Sequence, residues 1–224
     1  QGLDINESSE VVKLISNSGL QDIEIMPIIL SVDEEGTEFA GDILKAMEFD
    51  AVIHLGLSRD SGKILLERFA TNLISMELPD NSGRAVKGSK ILENAPERIE
   101  TTVSIHNFDE EFEQDKDVQW SNSAGSYVCN ETYFKTLSGL SDSTVPVLFI
   151  HLPKMSEISL NRQVEVVSRA IMVMVTRPKL TVVGGMIKDL NGSILACMRP
   201  EGDAWSGWWE FPGCLLYTSD AADD

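Results

Sequence analysis

Cysteine is scarce and odd in number: Cys129, Cys197 and Cys214 are the only three in 224 residues. Spacings this wide build neither a disulfide framework nor a zinc site, so a reducing compartment, the cytoplasm, is the expected location. No apolar run approaches the roughly 20 residues that a bilayer-spanning helix needs, which leaves a membrane out of the expected partners. Basic residues are outnumbered 18 to 36, for a formal charge of −18, and such a surface repels a phosphate backbone. Nucleic acid is therefore not an expected partner, and no cofactor or metal motif is found. Histidine occurs only at positions 54, 106 and 151, so imidazole chemistry has a short list of candidates. The opening, "QGLDINESSE", is polar and unlike a signal peptide, and it lacks an initiator Met, as a fragment would.

What is present is ordinary for a globular chain: 42% hydrophobic and 24% charged residues, enough for one good-sized α/β domain or a domain plus part of another. "IEIMPIIL" (23–30) reads as a strand. The helical period that follows places Phe39, Ile43, Leu44 and Met47 on one face, and "DAVIHLGLS" (50–58) reads as a second strand. Strand, helix, strand in that order suggests a βαβ unit with a parallel sheet. Residues 78–90 are rich in turn formers and predict a loop. "NFDEEFEQD" (107–115) predicts a helix capped by Asn107, while 100–106 fits either a strand or a helix start. "VQWSNS" (118–123) predicts a strand, a helix then runs to about Leu140, "VPVLFIHLP" (145–153) is a buried strand, and 159–175 is an amphipathic helix. After residue 176 the pattern changes to strand, Asn-Gly hairpin, strand, which predicts the start of another domain.

The chemistry concentrates at "SNSAGSYVCNETYF" (121–134). With Ser126 as N-cap, Cys129 falls in the first helical turn, where unpaired N–H groups and the helix dipole favour a thiolate and could hold an oxyanion. Ser123, Ala124 and Gly125 are small enough to let a substrate approach the backbone. The bland alternative is a small apolar core residue. A thiolate also needs a base. His151 ends an apolar strand, and strand carboxyl ends are where open α/β sheets place their sites. His54 lies mid-strand and is expected to face the core, and His106 is expected to be exposed.

At these residues the sequence resembles the pyroglutamyl-peptidase I family of cysteine peptidases. "SNSAGSYVCN" resembles the segment that carries the family's nucleophile, which implies that role for Cys129. "FIHLP" resembles the segment that carries its base, implying His151. "GLSRDSGKILLERFATNL" resembles the segment with the third triad member, implying Glu67; on pattern alone that residue reads as a solvated helix carboxylate. "LPDNSG" and "SLNRQVEVVSRAI" resemble a following turn and the closing helix. The implied fold, over residues 1–176, is a three-layer α/β/α sandwich with a mixed, mostly parallel sheet. The implied activity is removal of N-terminal pyroglutamyl residues from peptides through a thioester.

Against the family pattern, the opening strand and its loop phenylalanines are missing, Asn6 matches a substrate-binding asparagine, Glu77 stands where arginine is usual, and "SRDSG" lacks the usual Gly-Gly-Arg. Residues 177–213 resemble the truncated opening of a Nudix hydrolase domain without its metal-binding box. Residues 214–224 resemble read-through of a sequencing adapter. Two function classes therefore stay open: a pyroglutamyl peptidase acting on N-pyroglutamyl peptides, or a catalytically impaired homologue that binds a small ligand or peptide. The formation of a homo-oligomer is left open as well.

Overall fold

In a computed structural model, residues 6–176, 182–202 and 206–215 are described. The opening residues 1–5, Trp205 and the expected tail from 216 onward lie outside the described residues. The chain divides into two units, Gln1–Thr176 and Arg177–Asp224.

The first unit is built on alternating strand positions. Its strands β1 (Val52–Leu57), β2 (Ile64–Glu67), β5 (Val118–Ser121) and β6 (Val147–Leu152) form one sheet in the order β1-β6-β2-β5, with β1 the edge strand next to β6. β1 runs parallel to β6 and β5 parallel to β2, whereas β2 and β6 are antiparallel, so the sheet is mixed. All six residues of β6 are buried, as expected of a strand paired on both sides. A short ribbon, β3 (Phe69–Thr71) with β4 (Arg98–Glu100), stands beside the sheet.

Side chains alternate across the pleat, so Leu148, Ile150 and Leu152 point to one face and Val147, Phe149 and His151 to the other. The first set joins Ile64 and Leu66 in a core closed by α1 (Glu7–Ser18), α3 (Ile105–Phe112) and α5 (Leu160–Val175). On the opposite face Val147 and Phe149 pack with Tyr133, Phe134 and Leu137 of α4 (Val128–Gly139). Helices thus cover both faces. α2 (Glu34–Ala46) lies against α4.

Several sequence expectations are corrected. Residues 23–30 do not form a strand; only an isolated bridge, Leu20 with Ile23, occurs there. Pro27 has no N–H to donate, and the exposed Met26 and Ile29 bury no second face. The βαβ unit therefore lacks its first strand. In α2 the buried residues are Gly36, Thr37 and Ala40, while Phe39 and Met47 are about half exposed, because α4 meets the helix along its small residues. α3 starts three residues early. Its cap is Ser104, whose side chain accepts from the Asn107 N–H, and this places Phe108 and Phe112 on the buried face. Glu67 is the last residue of β2 and 1% exposed, far from a solvated helix carboxylate.

The second unit carries short antiparallel pairs: β7 (Val182–Gly184) with β10 (Gly213–Leu215), and β8 (Cys197–Met198) with β9 (Trp209–Glu210). Lys188 and Ile194 form a bridge around a turn in which Gly192 takes a φ of 87°, the left-handed conformation that the Asn-Gly pair predicts. Cys214 and Leu215, expected to begin a non-native tail, continue β10. Among the residues of this unit whose burial is described, none is buried.

Candidate active site

The sheet face under α4 brings polar residues together through register. His54 and Gly56 of β1 lie beside Phe149 and His151 of β6, and on the other side of β6 Glu67 lies across from Phe149. This diagonal lets His151 Nδ1 reach Glu67 Oε1 at 2.7 Å. The carboxylate and the imidazole are both buried, and Glu67 Oε2 has no hydrogen-bond partner among the described residues. A buried carboxylate oxygen so placed strengthens the field that Glu67 directs at the ring.

Cys129 is the second residue of α4 and half-buried. Its sulfur is near enough to the His151 ring to raise that ring's pKa. With Nδ1 engaged by Glu67, Nε2 is the nitrogen left for that sulfur. Burial works against a charged imidazole here, but the nearness of Cys129 and the hydrogen-bonded Glu67 carboxylate outweigh it and raise the His151 pKa from 6.5 to about 9. The histidine is thus held as an imidazolium between sulfur and carboxylate at neutral pH.

The expected cap is displaced by one residue. Tyr127 is the N-cap and makes no side-chain capping bond, so the first N–H groups of α4 stay available to a ligand oxygen. Ser126 instead donates its hydroxyl to Ser75 O at 2.9 Å, while Ser75 N donates to Ser126 O at 2.8 Å. Gly125 has a φ of 82°, which turns the chain from the exposed Asn122 and Ser123 into the helix.

Three supports escaped the sequence reading. Asn130 is fully buried: its Oδ1 accepts from Thr71 N at 2.8 Å, and its Nδ2 donates to Thr71 O at 2.8 Å and Leu73 O at 3.0 Å. Tyr133 donates its hydroxyl to the Glu67 carbonyl at 3.0 Å. Arg84 grips the carboxylate of Glu131 with both terminal nitrogens, at 3.2 and 2.6 Å, and also meets Asp80 at 2.9 Å and Glu34 at 3.1 Å. Asn130 and Glu131 directly follow Cys129 in sequence, which was the one signal available. Nothing local marks Tyr133 or Arg84.

The other candidates are placed as follows. His54 faces α4 and meets Thr136 Oγ1 at 3.0 Å; burial lowers its pKa to about 4, so it stays neutral. His106 is exposed on α3 near Glu110. Asn6 caps α1, its Oδ1 accepting from Ser8 N at 3.1 Å. Glu77 is exposed next to Met76, which packs against Val128 and Tyr127 at the start of α4. Among the described residues, no group of three or more His, Cys, Asp or Glu side chains could hold a metal ion.

A sequence profile of the pyroglutamyl peptidase family matches residues 1–183. The pyrrolidone-carboxylate peptidase of Thermococcus kodakarensis is 30% identical over 165 residues, covering 72% of this chain and 80% of that protein. That of Pyrococcus furiosus is 28% identical over 163 residues, covering 70% and 77%. Among solved structures, pyrrolidone carboxyl peptidase from Thermus thermophilus superposes with a TM-score of 0.66 at 30% identity, over 78% of this chain and 93% of that one. The enzyme from Fervidobacterium islandicum gives 0.69 at 28% identity, over 78% and 91%.

Proposed function

Because the chain belongs to the pyroglutamyl peptidase family, we propose that it is a cysteine peptidase that removes the N-terminal pyroglutamyl residue from peptides. The observation that carries this reading is the Glu67–His151–Cys129 constellation at the start of α4. The Cys129 sulfur attacks the carbonyl that joins pyroglutamate to the next residue. The oxyanion that forms lies toward the uncapped N–H groups of α4. The His151 imidazolium gives its proton to the leaving amine, which departs and leaves a thioester. Water, deprotonated by the now neutral imidazole, then attacks the thioester and frees pyroglutamate. Glu67 holds Nδ1 and stabilises the charged ring in both half-reactions. Asn6, whose Oδ1 caps α1, would offer its Nδ2 to the substrate.

The direct test is release of a fluorogenic amine from its pyroglutamyl amide. Steady turnover that is lost on alkylation of Cys129 is the expected result, and no turnover with any pyroglutamyl amide would sink the peptidase reading. A second reading rests on Glu77, an exposed carboxylate one residue after Met76, which itself packs against the start of α4; a negative charge brought near the oxyanion would oppose it. In that case the same site binds a pyroglutamyl ligand without cleaving it, and calorimetry would show binding where the amide assay shows no turnover.

For residues 177–213 we propose descent from the opening of a Nudix domain. The Asn-Gly turn, the paired β8 and β9 and the "WEFPG" run support this reading. A longer natural sequence that does not continue into a glutamate-rich box after Gly213 would overturn it.

A further inference from the structure

Gly56 is the fifth residue of the edge strand β1, and glycine is a poor choice inside a strand. Its backbone needs no positive φ, so the reason for glycine there is space. A Cβ built at position 56 would lie 2.9 Å from both Cε1 and Cζ of Phe149, and 3.1 Å from Cδ2 of His151. Real Cβ atoms essentially never sit as close as 2.9 Å, and 3.1 Å is tight enough that the His151 ring would have to shift. Cδ2 neighbours Nε2, the nitrogen left for the Cys129 sulfur.

Neither ring has room to retreat. Phe149 is 3% exposed and lies 5.9 Å from the His54 ring and 5.7 Å from the Tyr133 ring. His151 is in contact with Phe149 at 4.7 Å between centroids, and its other edge is tied to Glu67. The Phe149 ring therefore fills the space that a residue-56 side chain would take, and it also packs against the imidazole.

We propose that Gly56 and Phe149 act as a pair of positioning residues: the missing side chain at 56 admits the Phe149 ring, and that ring fixes the His151 imidazole between Glu67 and Cys129. This rests on the reading of His151 as the general acid and base. Neither residue touches the substrate in this scheme; each acts through the ring of His151.

The test is a volume-exchange cycle. Gly56→Ala alone is expected to lower kcat by about 10- to 100-fold with KM within about 2-fold, the scale of a displaced catalytic group. Phe149→Leu alone is expected to lower kcat as well, by removing the backing. Together, Gly56→Ala and Phe149→Leu exchange volume across the same gap, so the double variant is expected to turn over faster than Phe149→Leu alone. Because that comparison does not need Gly56→Ala to fold by itself, it stands even if the single variant is insoluble. Defects that simply add, or a Gly56→Ala protein with parental kcat, would overturn the proposal. The NMR titration of the His151 ring serves as a second readout: it should move in each single variant and return toward the parental midpoint in the double. If the parent shows no peptidase activity, the peptidase reading fails on its own, and an unmoved His151 titration would still overturn this one.

Discussion

Replacing Cys129 by Ser should abolish turnover and leave folding nearly intact. A hydroxyl has no thiolate character, and the change in volume at this half-buried site is small. Activity and thermal midpoint measured side by side check this, and equal loss of both would point to a core cysteine. The two buried histidines also predict a stability maximum. His151, raised to about 9, binds its proton more tightly in the folded chain than in the unfolded one. Its contribution is complete below about pH 6.5 and lost as the pH rises through 9. His54, lowered to about 4, is kept neutral by the fold. Its contribution is complete above about pH 6.5 and lost as the pH falls toward 4. Each limb is worth about 3 kcal/mol. Urea denaturation across this range should show both slopes. Glu67→Gln should flatten the alkaline limb and His54→Gln the acid one; unchanged slopes in these variants would refute the assignment.

At the level of elements, the start of α4 is held from two sides. Asn130 fastens it to the end of β3 at Thr71 and to Leu73 beyond it, and the Arg84 cluster fastens it to the 80–84 turn and to α2 through Glu34. Removing the guanidinium with Arg84→Ala leaves Glu131, whose side chain is 5% exposed, with Lys135 at 3.0 Å as its one remaining cation among the described residues. The expected cost is about 3 kcal/mol, the lower end for a broken buried pair, since Lys135 stays. Chemical denaturation measures it. Turnover per folded molecule should fall too, because a looser helix start misplaces Cys129. A loss of stability below about 0.5 kcal/mol would mean that Arg84 is only a surface contact.

Across the whole molecule, the catalytic candidates all belong to the first unit. In the second unit Trp208, Trp209 and Phe211 are each more than half exposed. A chain ending at Thr176 should therefore keep its turnover per folded molecule and stay soluble at higher concentration, since a large exposed apolar surface promotes association. Light scattering and the amide assay on the two proteins test this; a shortened chain that loses activity would show that residues 177–224 contribute to the site.

The local pattern determined a good deal. The apolar run at 147–152, the α5 period and the turn-rich 78–90 loop were legible because each depends on neighbours within a few residues. The sequence around Cys129 and His151 also named both residues before any geometry was available. The tertiary structure decided the rest. Residues 23–30 have strand composition, but a strand exists only where a partner supplies hydrogen bonds, and none of the described strands pairs with them. Phe39 and Met47 fit a helical stripe, yet α4 chose the small side of α2. Glu67 reads alike on a wet helix or at a strand end. Only the antiparallel register of β2 against β6 buries it and sets it diagonally from His151, at 2.7 Å. Gly56 has no local reason to be glycine at all. The ring atoms that exclude a Cβ come from residues more than 90 positions away, and contacts of that range are fixed by packing, which no local pattern encodes.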